Sequence, residues 1–180
     1  EFLSNYTPDI EQMSVDECYM DFTGIAHRYH SPVEAAFEIK DAVKEKFGFT
    51  VNIGISTNRL LAKMASDLEK PNKVHTLFVE EIPVKMWHLP VSELYMAGKS
   101  SVEVLHKLEI RTIGELAKAD PELLELHLKS HGRTLWEFAN GIDSNKVVRD
   151  HVEMKGIGNS TTLSKDAATE EEAKKVFLAL

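Results

Sequence analysis

The sequence has 180 residues, of which 43% are hydrophobic and 28% charged, an ordinary globular composition with room for one domain and a smaller second one. Its net charge of −8 argues mildly against non-specific binding of nucleic acid, although local clusters decide that question. No apolar run is long enough to span a membrane, no signal peptide opens the sequence, and the single cysteine, Cys18, excludes an internal disulfide, so we expect a cytoplasmic protein.

The first predicted element is a β-hairpin. Residues 6–13 predict a turn that leads into a short strand, and the apolar–polar alternation over 18–23 predicts the second strand, with Cys18 as a buried strand residue. Between them lie Asp16 and Glu17, whose carboxylates can lean toward one point at the mouth of a twisted hairpin. Two carboxylates at such a point bind hard cations such as Mg²⁺ or Mn²⁺. An exposed acidic turn without a ligand is the alternative.

Two helices and two further strands are predicted next. A capping box at 31–34 begins a helix that ends at Gly48, and residues 50–56 alternate as a strand in which Val51, Ile53 and Ile55 face the helices. Gly54 indicates either a close approach of another group or a packing role. Thr57 or Asn58 caps a second helix through residue 70, and 74–79 predict another strand. The pattern indicates an α+β fold, with an antiparallel or mixed sheet and helices on one face.

The second predicted helix has a charged face. Lys63, Asp67 and Lys70 share one face of it, which differs from the apolar face that is expected to be buried. Pro71 then ends the helix. A solvated lysine at a helix end is the ordinary explanation of Lys70 on its own.

Strand signals vanish after residue 87, and short helices follow one another to about residue 141. Thr112 begins a capping box, Asp120 precedes a proline at a helix start, and Gly132 and Gly141 are expected helix ends. Residues 143–158 are polar and indicate a linker. After them, 159–163 predict a strand and Thr169 caps the last helix.

A glycine-containing loop is the most informative feature of this helical part. Residues 89–101 predict a short helix, a tight loop at Gly98 and a second helix that runs to residue 108. The loop exposes backbone N–H groups at a helix N-terminus, and Lys99 and the hydroxyls of Ser100 and Ser101 add donors. These groups suit a DNA phosphate without reading any base. A plain helical corner is the alternative.

Two long motifs resemble the signatures of the Y-family (translesion) DNA polymerases. The first is the hairpin sequence at 14–21, SVDECYMD, and the second is GISTNRLLAKMASD at 54–67, followed by Lys70-Pro71-Asn72. The helix-hairpin-helix around Gly98 falls where that family has one in its thumb domain, and Gly156-Ile157-Gly158 resembles the approach to its little-finger domain. In place of the family's more common Gly-Ile-Gly, the loop here has Met96-Ala97-Gly98.

The resemblance implies an incomplete palm of a β-hairpin and further strands, followed by an all-α thumb. Its domains would be a partial palm (1–86), a thumb with a helix-hairpin-helix (87–142), a linker (143–158) and the start of a little finger (159–180). Both ends of the sequence look cut, so we expect a piece of a longer protein. The family's first palm strand, with one more metal-binding aspartate, and its fingers domain would precede Glu1.

The resemblance also implies site residues. Asp16 and Glu17 would be catalytic and would hold two Mg²⁺ ions, Lys70 would bind the incoming nucleotide, and Gly98, Lys99 and Ser100 would bind DNA. Apart from the resemblance, the predicted strand carries Asp21 away from the turn, so we expect Asp21 to be structural, and we expect Lys63 to be a support residue.

The implied activity is template-directed DNA synthesis, a nucleotidyl transfer used in DNA repair and lesion bypass. We expect this 180-residue chain to be inactive on its own. The expected partners are primer–template DNA, deoxynucleoside triphosphates and, through regions outside this sequence, a sliding clamp, with no membrane. Two alternatives remain: a nucleotide cyclase with a palm-like sheet, and a non-enzymatic helix-hairpin-helix module that binds DNA.

Overall fold

The computed structural model describes residues 1–149 and 158–179, which belong to two units, Glu1–Arg149 and Asp150–Leu180. The strands of the first unit are β1 (Ile10–Gln12), β2 (Cys18–Met20), β3 (Ile53–Ile55) and β4 (Val74–Thr76). Its helices are α1 (Pro32–Phe47), α2 (Arg59–Asp67), α3 (Ile82–Lys85), α4 (Lys99–Lys107), α5 (Ile113–Lys118), α6 (Pro121–Leu128) and α7 (Ser130–Ala139). Short 3₁₀ helices lie at Leu3–Asn5, Thr23–Arg28, Val79–Glu81 and Val91–Glu93. These elements confirm the α+β prediction.

The predicted hairpin is present. β1 and β2 pair antiparallel, with Ile10 opposite Met20 and Gln12 opposite Cys18. The prediction that Cys18 is buried is wrong, because its side chain is exposed on this short strand. Surrounding protein nevertheless desolvates the thiol and raises its pKa, so Cys18 lacks the lowered pKa that activates a nucleophile.

β3 and β4 form a second, parallel pair, so the described part of the chain has two separate two-stranded sheets instead of one. Both α1 and α2 pack against this second pair. The predicted strands at 50–56 and 74–79 were too long, since β3 and β4 have three residues each and a 3₁₀ helix begins at Val79.

α2 lies directly against Gly54 of β3. A Cβ atom added at Gly54 would come within 1.9 Å of the Ala62 carbonyl oxygen and 2.4 Å of the Ser66 nitrogen. The close approach allowed for Gly54 is therefore confirmed, but the expectation that only the opposite side of β3 faces the helices is wrong. The missing side chain is what admits the helix backbone.

Capping residues correctly predicted the starts of α1, α2 and α5 and the end of α1. The hydroxyls of Ser31 and Thr112 accept the N–H groups of Glu34 and Glu115, and Asn58 caps α2 by accepting the Leu61 N–H. Gly48 follows α1 with a φ of +77°, in the left-handed conformation that ends helices.

Gly132 does not end a helix. α6 stops at Leu128, and α7 runs from Ser130 through Gly132. A Cβ at Gly132 would lie 2.3 Å from the Leu124 carbonyl oxygen, so this glycine permits the close crossing of α6 and α7. Gly141, with a φ of +74°, follows the end of α7 as predicted.

One continuous apolar cluster connects α2 with the helices that follow it. Its buried members extend from Leu60 and Leu61 of α2 to Phe138 and Ala139 of α7. The predicted boundary between residues 86 and 87 falls inside this cluster, next to the fully buried Met86. α2 is therefore packed in the same apolar core as helices α3 to α7.

Residues 143–149, the start of the predicted linker, contact the hairpin and the beginning of α2. The Asp143 carboxylate accepts the Leu60 N–H, and the Val148 N–H donates to the Glu11 carboxylate over 3.0 Å. The rest of that predicted linker, up to residue 157, lies outside the described residues.

In the second unit, residues 158–169 form no helix or strand in the described structure, so the strand predicted at 159–163 is wrong. α8 (Glu170–Ala179) follows, and the Thr169 hydroxyl accepts the Glu172 N–H at its start. Within the described part of the chain, no helix has the length and apolar character that a membrane span requires.

We expect Gly54→Ala to lower the free energy of unfolding by about 1–3 kcal/mol or more, because the new methyl group meets helix backbone that cannot rotate away. Urea denaturation monitored by circular dichroism measures the change. Gly24→Ala is the matched control, because a Cβ there meets no atom within 4 Å among the described residues. Equal stability of the two variants would contradict this packing of α2 on β3.

Candidate active site

The turn between β1 and β2 presents two exposed carboxylates. The Ser14 hydroxyl donates to an Asp16 carboxylate oxygen over 2.6 Å and accepts the Glu17 N–H over 3.1 Å. The Glu17 carbonyl oxygen closes the turn by accepting the N–H of Met13 over 2.9 Å. Ser14 therefore organises the turn and orients Asp16, a role that was not predicted from the sequence.

A chain of ion pairs leads from this turn along α2. The Lys63 ammonium contacts the Glu17 carboxylate and lies 3.3 Å from an Asp67 carboxylate oxygen. The other oxygen of Asp67 lies 2.7 Å from the Lys70 ammonium. The ion pairs therefore connect Glu17 with Lys70. The predicted helix through residue 70 was too long, because α2 ends at Asp67, where the Leu68 N–H donates to the Ala65 carbonyl oxygen, so Lys70 pairs with Asp67 from the segment after the helix.

Lys63 is the least exposed member of this ion-pair chain. Its side chain is 19% exposed, against 51% for Glu17 and 56% for Lys70. Burial alone would lower the pKa of Lys63, but the hydrogen bond that its ammonium donates to the Glu17 carboxylate and the negative charges of Asp67 and Glu17 outweigh that effect and raise the pKa. Lys63 thus stays protonated and fixes the position of Glu17.

Neighbouring residues of the hairpin have structural contacts. Asp21 accepts the Thr23 N–H over 2.8 Å at the start of a 3₁₀ helix, and hydrogen bonds from Thr23 lower its pKa. The Arg59 guanidinium lies 3.1 Å from Glu11 and stacks over the Tyr19 ring at 4.6 Å. Arg59 therefore connects the start of α2 to both hairpin strands, a contact between distant residues that has no local signal in the sequence.

The predicted DNA-binding loop lies at the N-terminus of α4. Gly98, Lys99 and Ser100 are exposed, and Gly98 is the N-cap residue, a position that no described side chain caps with a hydrogen bond. Met96, with a φ of +67°, makes the tight turn that was predicted at Gly98. Ser101 is only 7% exposed, so its hydroxyl is not the surface donor that was expected.

This loop and the ion-pair chain are connected through α2. The Tyr95 N–H lies 3.4 Å from the Met64 sulfur, and Met64 is the neighbour of Lys63. The Tyr95 ring also stacks on Phe138 of α7, with centroids 6.3 Å apart. α2 therefore contacts the hairpin turn through Lys63 and the segment before α4 through the adjacent residue, Met64.

The donor atoms at the turn are of the chemical type that a hard divalent cation binds. Asp16 and Glu17 offer carboxylate oxygens, the ligands that Mg²⁺ prefers, and the Lys63 ammonium already lies against Glu17 as a cation. Among residues 1–149 and 158–179, no group of three or more His, Cys, Asp or Glu side chains could hold a metal ion. The described residues therefore supply two candidate ligands.

Solved structures of Y-family DNA polymerases resemble this chain. DinB from Sulfolobus solfataricus matches 81% of this chain with a TM-score of 0.71 and 26% identity, and the match covers 43% of that chain. An insertion ternary complex of Dbh DNA polymerase matches to the same extent with 27% identity. The fold is thus that of the palm and thumb of a Y-family polymerase, and the resemblance stated from the two motifs is confirmed.

The sequence comparisons agree. Residues 1–67 match the impB/mucB/samB family model. DNA polymerase IV of Clostridium acetobutylicum is 52% identical over 178 residues, which are 99% of this chain and 45% of that protein. DNA polymerase IV 1 of Bacillus subtilis is 41% identical over 179 residues, 43% of its length. The chain spans a little less than half the length of these curated relatives.

We expect Lys63→Met to lower the free energy of unfolding at neutral pH by less than about 1 kcal/mol, because its partners are partly exposed. The pKa of Lys63 is raised in the folded state, so the stabilisation is complete below the ordinary value of 10.5 and disappears as the pH rises through the folded pKa. The difference between wild type and variant should therefore shrink at high pH. Denaturation between pH 7 and 11 measures it, with the exposed Lys107→Met as control. A difference independent of pH would contradict these ion pairs.

Proposed function

We propose that this chain provides palm and thumb residues of a Y-family DNA polymerase that adds deoxynucleotides to a primer in DNA repair and lesion bypass. The observation that carries the proposal is the chain of ion pairs from Glu17 through Lys63 and Asp67 to Lys70. It links the hairpin carboxylates, which suit a cation, to a lysine that suits a triphosphate. The polymerase names of the relatives favour this activity over a nucleotide cyclase or a non-enzymatic module.

Lys70 is the proposed ligand of the incoming nucleotide. Its side chain is 56% exposed and paired with Asp67 in this structure, so a triphosphate would have to share or replace that pairing. An ammonium group beside the phosphates offsets negative charge that develops on the leaving pyrophosphate. The proposed role of Asp67 is to hold Lys70 in place before a nucleotide arrives.

Asp16 and Glu17 are the proposed catalytic carboxylates and would hold Mg²⁺. When bound, the metal ions supply charge stabilisation for the attacking and leaving oxygens of a phosphoryl displacement. Ser14 orients Asp16, and Lys63 orients Glu17, so neither carboxylate depends on the metal for its position. Two ions close together repel each other, and a ligand beyond these two carboxylates is needed to offset that repulsion.

The proposed domains are a palm at 1–86, a thumb at 87–142, a linker at 143–158 and the start of a little finger at 159–180. The proposed partners are primer–template DNA and deoxynucleoside triphosphates. In the thumb, Gly98, Lys99 and Ser100 would contact a DNA phosphate through backbone N–H groups, the ammonium and the hydroxyl, which gives affinity without sequence preference.

We expect Asp16→Ala to reduce primer extension at least about a hundredfold, because it removes a direct metal ligand. The assay uses a chimera in which this chain replaces the matching 178-residue segment of the Clostridium acetobutylicum DNA polymerase IV. Glu45→Ala, at an exposed position of α1, is the matched acidic control. Normal extension by the Asp16→Ala chimera would show that the site is elsewhere, and an inactive unaltered chimera would count against the proposed activity.

Lys99→Ala should weaken binding of duplex DNA by the chain and reduce the slope of log K against log salt by about 1, because one phosphate contact releases one counterion fewer. Fluorescence anisotropy between 50 and 200 mM salt measures the slope. Lys107→Ala, at the other end of α4, should leave it unchanged. An equal effect of both variants would indicate diffuse electrostatic binding and not a phosphate site at the loop.

A further inference from the structure

Lys40 is a buried cation in the middle of α1. Its side chain is 7% exposed, although lysine is almost never buried without a partner. The ammonium lies 2.6 Å from an oxygen of Asp41, whose side chain is 65% exposed, and 3.3 Å from the Asn72 side-chain oxygen. It also lies 5.7 Å from the centre of the Phe37 ring.

The partner on the far side of this contact belongs to the loop that follows α2. Asn72 comes two residues after Lys70, and its φ of +61° is a left-handed conformation that asparagine tolerates better than most residues. The Lys73 N–H donates to the Asn52 side chain over 3.1 Å, so the loop is held again one residue later. The loop is thus fastened to α1 at Asn72 and to the start of β3 at Lys73.

Burying an ammonium is unfavourable unless its hydrogen bonds are satisfied. Asp41 alone could pair with a lysine that points to solvent, as its own exposure shows. The second contact, with Asn72, requires the Lys40 side chain to lie inward and requires the loop to come to it. The geometry therefore stabilises the loop at the cost of desolvating Lys40.

We propose that Lys40 is a positioning residue for the Lys70–Asn72 loop and thereby for the binding of a nucleotide's phosphates by Lys70. The inference rests on the proposed function only in its second part. Lys70 is held by Asp67 at its side chain and by Lys40 through the backbone of the loop, so its ammonium is placed from two directions. No atom of Lys40 needs to touch the nucleotide.

The test uses the ¹⁵N-labelled 180-residue chain and four variants. Lys40→Met removes the ammonium and keeps the length of the side chain. Asn72→Gly removes the acceptor at a residue whose positive φ glycine tolerates, and the double variant combines the two changes. Lys44→Met, at an exposed position one turn further along α1, is the matched control.

The first measurement is the set of amide resonances of residues 70, 72 and 73. Lys40→Met and Asn72→Gly should shift the same loop resonances, and the double variant should add little, because each single change already breaks the contact. Lys44→Met should leave the loop unchanged. An unmoved loop in Lys40→Met, or simple additivity in the double variant, would overturn the positioning role. If Lys40→Met does not fold, the shifts in Asn72→Gly decide, because Asn72 lies outside the buried core.

The second measurement is titration with sodium tripolyphosphate, followed at the Lys70 amide. Both single variants should weaken the affinity about fivefold, the loss expected for one hydrogen bond. Unchanged affinity in both would overturn the second part of the proposal. If tripolyphosphate leaves Lys70 of the unaltered chain unperturbed, the nucleotide role in the proposed function fails, and the loop resonances still decide whether Lys40 positions the loop.

Discussion

The structure depends on the contact between α2 and Gly54 of β3. A residue with a side chain at this position would push the helix backbone outward, because its Cβ would overlap the Ala62 carbonyl and the Ser66 nitrogen. With glycine there, α2 lies close to the strand and buries Leu61, Met64 and Ala65. Its opposite face then meets the hairpin. The position of one glycine thus determines where Lys63 and Asp67 lie.

Electrostatics at the candidate site follow from that placement. Glu17 is on an exposed turn that would leave its carboxylate free to move, and Lys63 restrains it from α2. Asp67 then pairs with two lysines, so positive and negative charges alternate from the turn to the end of the helix. In a chain with a net charge of −8, the two lysines make this part of the surface less negative than its carboxylates alone would.

Local signals made much of the fold predictable from the sequence. Capping residues and prolines predicted the starts of α1, α5 and α6, and Gly48 predicted the end of α1, because these effects involve only residues a few positions apart. Gly132 was misassigned because a glycine at a helix crossing has the same local signature as one at a helix end. The prediction that Cys18 is buried was wrong because the alternation of residue types identifies a strand but does not show which of its faces is covered.

The residues of the candidate site were predictable from the sequence, but their contacts were not. Asp16, Glu17 and Lys70 were selected by motif, and helical spacing placed Lys63, Asp67 and Lys70 on one face. The contact of Lys63 with Glu17 joins residues 46 positions apart, and that of Lys40 with Asn72 joins residues 32 apart, so neither has a local signal. The sequence therefore indicated which residue types take part, while the packing of α2 and α1 determined their partners.

The central claim is that the hairpin carboxylates and Lys70 form one site. The most direct measurement is a crystal structure of the chimera with primer–template DNA, Mg²⁺ and a non-hydrolysable deoxynucleoside triphosphate. We expect Lys70 within hydrogen-bond distance of the triphosphate, and Asp16 and Glu17 as metal ligands in the same complex. A triphosphate bound away from Lys70, or a metal held without Asp16 and Glu17, would contradict the claim.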